Sequence, residues 1–175
     1  MAPLFQTVTD LRLGADVLRR RRHGVIEVVD GRFRRVLLRP YPAVVSLPYV
    51  VLVGRWSHRH TSGDRCLLYY SQPRRFPNFL ALRYVASSRG SSLAGFFRVL
   101  EVLDEIARVK QSDALLTDVA DWRISARLLA RLGWAPHCPS RWHRHYIKRF
   151  YGSYPPRPRW LQPDPIEAVA ELALV

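Results

Sequence analysis

The sequence is short of lysine, acid and sulfur. Its 175 residues include two cysteines and one methionine. Cys66 and Cys138 lack metal-site spacing and cannot build a disulfide framework, which excludes a stapled secreted module and a cysteine-rich zinc module. Acidic residues number 14 against 28 basic ones, and every basic residue except Lys110 and Lys148 is arginine. A long apolar run is also missing. The greasiest stretch, AVVSLPYVVLVG, is too short to span a bilayer and carries Pro48. The N-terminal MAPLFQTVTDLRLGADVLRRRR has no continuous apolar core before a cleavage site, so it is not a signal peptide. These absences point to a reducing, cytoplasmic setting with no membrane partner.

What is present is a globular composition, 48% hydrophobic and 24% charged, with a formal charge of +14. Arginine presents a planar fork suited to phosphate and carboxylate. An excess of this size steers polyanions toward the chain, so nucleic acid is a candidate partner beside nucleotide cofactors. A proteome rich in arginine would give the same bias without function.

Patterning predicts a helix over residues 9–22, capped by Thr9 or Asp10 and ended by Gly24. In GVIEVVDGRFRRVLL, the Asp30-Gly31 pair between β-branched runs predicts a hairpin. Further strands are expected at 48–56, 65–71 and 79–86, antiparallel because their connections are short. The second half changes period. FFRVLEVLDEIARVK carries a helical apolar stripe, DALLTDV at 113–119 reads as a buried strand, and WRISARLLARLGW as a second helix stopped by Gly133, with Asp121 its N-cap. Residues 141–150 alternate as a strand. A proline-rich arm and a short helix over 153–175 follow the domain of residues 1–152. The expected class is α/β of the α+β kind: a mixed, largely antiparallel central sheet with flanking helices. It has a strand-rich part at 24–86 and a half at 79–150 suited to cofactor binding.

Between the strand at 79–86 and the next helix stands SSRGSSLAG. Strand, Ser/Gly turn and helix together form a layout that holds anions on unpaired helix N–H groups. From residue 79 to 150, the order strand, turn, helix, strand, helix ending in Gly-aromatic, strand resembles the acyl-CoA-binding half of the GNAT superfamily of N-acyltransferases. The family loop Q/R-x-x-G-x-G/A is matched by Arg89 first, Ser92 at the middle glycine and Ala94 last, and LARLGW at 129–134 is similar to its later helix end. The resemblance covers about two-fifths of the chain.

The resemblance implies an acyl transfer from acetyl-CoA or another acyl-CoA to an amine. The coenzyme's diphosphate would lie on the amides of Gly90, Ser91, Ser92, Leu93, Ala94 and Gly95, beside Arg89. The backbone N–H of Val85 would stabilise the oxyanion while the amine attacks directly. Many members place an acidic Tyr four residues before the glycine, where this chain has Leu129.

Other residues carry chemistry of their own. His58/His60 and His143/His145 each put two imidazoles on one strand face, but neighbouring arginines and the lack of a carboxylate at metal-like spacing lead to an expectation of no metal. SRWHRHYIKRFYG at 140–152 interleaves aromatics with cations; it could stack bases, or pack its rings on the core while cations extend outward. Under the acyltransferase reading His143, His145 and Tyr146 border the acceptor and favour an anionic one. Asp118 is placed to orient the amine or act as base through water, or to serve a structural hydrogen bond. No G-x-S-x-G elbow occurs, so a serine nucleophile is discarded. Two other readings stay open: a non-catalytic nucleic-acid binder, and a degenerate GNAT-fold module that binds a partner.

Overall fold

The computed structural model describes residues 4–41, 64–88, 92–119, 124–138 and 143–162. The strand expected at 48–56, the His58/His60 pair, Arg89 to Ser91, Asp121 and the C-terminal helix lie outside them. The architecture is mixed α+β. An eight-stranded sheet runs in the order β1 (Gln6–Val8), β3 (Arg32–Arg39), β2 (His23–Val29), β4 (Arg65–Ser71), β5 (Phe79–Ser87), β6 (Ala114–Asp118), β8 (His145–Arg149), β7 (Ala135–Pro136). All pairings are antiparallel except β5 with β6. That pair is joined by the long helix α2 (Leu93–Val109), as a parallel pair requires. Two short helices, α1 (Ala15–Arg20) and α3 (Ala126–Arg131), and a 3₁₀ turn at Arg159–Leu161 complete the set.

Local chemistry explains most boundaries. Asp30 and Gly31 both adopt positive φ, 51° and 70°, as the tight turn between β2 and β3 demands. α2 buries Val99, Val102, Leu103 and Ile106 completely, at the spacing its apolar stripe gives, against β2, β3 and β4. β2 is buried along its middle, so its one acid, Glu27, needs partners; it takes Arg35 at 2.5 Å and Arg65 at 2.7 Å from the strands on either side.

Two helix expectations require correction. Over 9–22 only Ala15–Arg20 is α-helical. Asp10 spends its Oδ1 on the N–H groups of Arg12 and Leu13, closing a turn before the helix instead of capping a longer one. Gly24 does not end that helix. It lies in β2 opposite Tyr70, where an added Cβ would stand 2.6 Å from the Tyr70 hydroxyl, so its smallness serves cross-strand packing. The second helix starts later than its apolar pattern suggests, because Ser125 is its N-cap, accepting from Leu128 N at 3.1 Å. Gly133, at φ +83°, stops it as expected.

The arm at 153–162 is strapped along α2. Buried Glu105 accepts from Arg157 at 3.0 Å and pairs with Arg108, whose guanidinium also reaches the Pro155 carbonyl. Tyr154 donates to the Ser112 carbonyl, and Trp160 Nε1 to Glu101 at 2.8 Å. No described helix is long and apolar enough to cross a membrane.

Candidate functional site

The parallel pair β5 and β6 holds for four residue pairs, from Phe79 with Ala114 to Leu82 with Thr117. There β5 acquires an extra residue: Tyr69 pairs with Tyr84 and Tyr70 with Leu82, leaving Arg83 as the bulge. A bulge bends and twists its strand. Beyond it β5 continues on β4 alone as far as Ser87, while β6 stays with β8 through Asp118 and His145. The sheet therefore forks after Leu82 and Thr117.

Val85 lies on the first arm of that fork. Ser88 N donates to the Arg65 carbonyl on β4 at 3.0 Å. Antiparallel pairing alternates, so Ala86 and Tyr84 turn their amides to β4 while Val85 turns its N–H the other way, toward the side β6 has left. This is the orientation an oxyanion donor needs.

On the second arm three side chains meet. His143 Nδ1 lies 2.8 Å from Asp118 Oδ2, and His145 Nδ1 lies 3.9 Å from Asp118 Oδ1. The two imidazoles are stacked, 5.4 Å between centroids and 15° between planes. Their ligand atoms and a carboxylate oxygen lie within 4.8 Å of one another, close enough to hold a divalent cation if they closed on it. Without a metal, the same contacts make a His–Asp dyad: Nδ1–H donates to the carboxylate and Nε2 keeps a lone pair. Asp118 and His143 stand 25 residues apart, so the sequence shows them only as separate candidates, and the β6–β8 pairing joins them.

Tyr146 pairs with Thr117 where the sheet forks, but its side chain is buried. It is 6% exposed and, with Phe150, belongs to the core. On β8 the aromatics face inward, and Lys148 runs inward too, pairing with Asp104 of α2 at 2.6 Å. Burial raises the Asp104 carboxyl above the usual range, and Lys148 opposes that shift. Leu129 is also core, 4% exposed, and cannot protonate a leaving group.

The start of α2 already carries an anion. Ser92 is the N-cap, its Oγ accepting from Gly95 N at 3.4 Å. The Ser92 amide donates to Asp64 Oδ2 at 3.0 Å, and its hydroxyl donates to the same oxygen. Gly95 is buried, and a Cβ there would touch Cys66 and the Asp64 carboxylate at 3.5–3.7 Å, so it fits the helix against β4 rather than opening the backbone outward. Leu93 and Ala94 are exposed. Burial, and after it Asp64, pushes the neighbouring Cys66 thiol up to about 12, which leaves it no nucleophile. Nothing local in the sequence points to Asp64, which reaches this cap across 28 residues.

No protein-family model matches the sequence, and none of the curated proteins does. Among solved structures, the chain is similar to the crystal structure of nourseothricin acetyltransferase, at a TM-score of 0.38 and 9% identity over 84% of this chain and 99% of that one. A likeness at this level decides nothing about chemistry, which rests on the fork and its side chains.

Proposed function

We propose that the chain is an acyl-CoA-dependent N-acyltransferase of the GNAT type, with its reaction centre in the fork between β5 and β6. The observation that supports this most is the pairing of a turned-out Val85 amide on one arm with the Asp118–His143 dyad on the other.

In this reading the thioester enters the fork with its carbonyl oxygen toward Val85 N–H. Negative charge develops on that oxygen as the amine attacks, and a prepositioned donor stabilises it more than water does. His143 Nε2 takes the amine's proton, while Asp118 holds the ring in one tautomer and balances the imidazolium. The C–S bond breaks and sulfur leaves as thiolate. Leu129 offers that thiolate no proton, so the step relies on a thiol's ordinary acidity, about 8.5 for cysteine. His145, stacked on His143, borders the acceptor amine.

The coenzyme's diphosphate fits the start of α2 incompletely. Exposed Leu93 and Ala94 leave their amides within reach of a ligand, but Ser92 is engaged by Asp64 and Gly95 by Ser92. Binding there requires the Asp64 carboxylate to turn away. Arg89, Gly90 and Ser91 would supply the remaining contacts under this proposal.

Titration of the full chain with acetyl-CoA in a calorimeter is expected to give saturable one-site binding, strengthened in Asp64→Asn. Absence of heat up to millimolar ligand, in both the native chain and Asp64→Asn, would remove the acyl-CoA reading.

A further inference from the structure

A cavity of about 500 Å³, none of whose lining residues belongs to the fork, carries four arginines in its wall. Arg12 comes from the turn before α1, Arg32 from the start of β3, Arg98 from the second turn of α2 and Arg159 from the 3₁₀ turn of the arm. Phe33 and Trp160 complete the wall, their rings 6.0 Å apart at 36°.

The charges are not balanced inside it. Arg98 pairs with Glu101 at 3.0 Å, donates to the Gly31 carbonyl and lies 4.7 Å over the Trp160 ring. Arg12 donates to the Leu161 carbonyl at 2.6 Å. Among the described residues neither Arg12, Arg32 nor Arg159 has an ion-pair partner. Asp10 also lines the cavity, its Oδ1 held by the amides of Arg12 and Leu13, and its single negative charge offsets only part of the three guanidiniums. Like charges drawn into one concavity repel, and low-dielectric walls concentrate their field. An anion that bridges them removes the repulsion, and guanidinium forks match phosphate oxygens in pairs.

We propose that this groove binds the phosphate of a nucleotide unit, supplied either by a free nucleotide or by single-stranded nucleic acid. Three features select that ligand over a small anion. The cavity lies in the size range of ligand sites, about 300–1,000 Å³. Its guanidiniums stand on several sides and suit a ligand with many oxygens. Its tilted aromatic pair, Phe33 and Trp160, offers ring surface to a base beside the Arg98 guanidinium. The inference does not depend on acyl transfer.

The test uses the full chain, a fluorescein-labelled oligouridylate of about 12 nucleotides in anisotropy, and ATP in calorimetry, both at low salt. Oligonucleotide binding that weakens with salt is expected, since phosphate neutralisation releases counterions. The double variant Arg32→Glu/Arg159→Glu should weaken it at least tenfold. Arg34→Glu/Arg75→Glu changes the net charge equally at exposed positions outside the groove and should weaken it less than threefold. Binding of ATP but not of the oligomer, with the same dependence on Arg32 and Arg159, supports the groove and assigns it to free nucleotide. Equal losses from the two double variants would overturn the proposal in favour of diffuse attraction by the +14 charge. So would the absence of binding by both probes.

Discussion

The fork and the arginine groove are built on opposite electrostatic plans. At the fork and along α2 the ionisable side chains answer one another: Asp118 is met by two imidazoles at the fork, Asp104 by Lys148 further in, and the start of α2 by Asp64. In the groove, guanidiniums converge with few carboxylates among them. Self-compensated polar groups suit proton transfer, because they hold geometry and protonation states without an outside ion. Uncompensated charge suits capture of a ligand that brings the opposite sign. One small chain carries both plans, at places that share no residue.

Substitutions at one place should spare the other, and the clearest ones lie at the fork. His143→Gln keeps a polar side chain but removes the base. Acyl transfer should fall by about 10²–10⁴-fold, with oligonucleotide anisotropy unchanged. Steady-state kinetics beside the anisotropy assay checks both halves. If transfer is retained, the dyad has no part in the reaction.

Val85→Pro removes the turned-out N–H. Because that amide faces away from β4, the ladder loses no hydrogen bond, and thermal melting should show a folded domain. The turnover number should drop by about 10²–10³-fold while the KM for acyl-CoA changes little. An unchanged turnover number would exclude Val85 as the oxyanion donor.

Asp64→Asn sharpens the contrast in the other direction. It removes a negative charge from a helix start, where an anion is worth about 0.3–2 kcal/mol, so acetyl-CoA should bind a few-fold to tenfold more tightly. The cost is a lower melting temperature, because Ser92 loses its charged acceptor. Nucleotide binding in the groove should not change.

The smallest effect concerns a residue that serves neither place. Lys110 Nζ donates to the carbonyls of Arg19 and Arg21 and to Gln72, tying the end of α1 to the end of β4. Burial, and after it Arg22, pulls its ammonium down from the ordinary 10.5 to about 8. Between those values the unfolded chain keeps a proton that the folded chain has lost. Stability contributed by Lys110 is therefore greatest above 10.5 and falls as pH drops toward 8. Denaturant midpoints measured from pH 8 to 10 should rise with pH in the native chain and rise less in Lys110→Met, with both ligand assays unaltered.

The sequence was legible wherever one segment decides its own structure. The Asp30-Gly31 turn, β4 at 65–71 and the apolar stripe of α2 follow from backbone preference and period, and each stands where the pattern puts it. The parallel β5–β6 pair followed from the helix between them. Legibility failed where distant residues decide. Residues 9–14 have a helical pattern, yet Asp10 folds its side chain back onto nearby amides and forms a turn. Of the strand expected at 141–150, the described residues form 145–149, and its burial does not alternate, since Tyr146 and Ile147 are both buried; the core took Tyr146, and Phe150 after it. At the fork, His143 and His145 were visible as a pair and Asp118 as a lone acid, and only the sheet register unites them. In the groove, the arginines were conspicuous as composition, not as a cluster.

That groove has a consequence for how the chain comes together. The hydrogen bond from Arg12 to the Leu161 carbonyl spans 149 residues, so one bank of the groove is synthesised well before the other. The cavity can exist only once the last strap has been laid over the first turn. A nucleotide seated there would clasp these two distant segments together, favouring the assembled groove over any partly folded form by the free energy of its own binding.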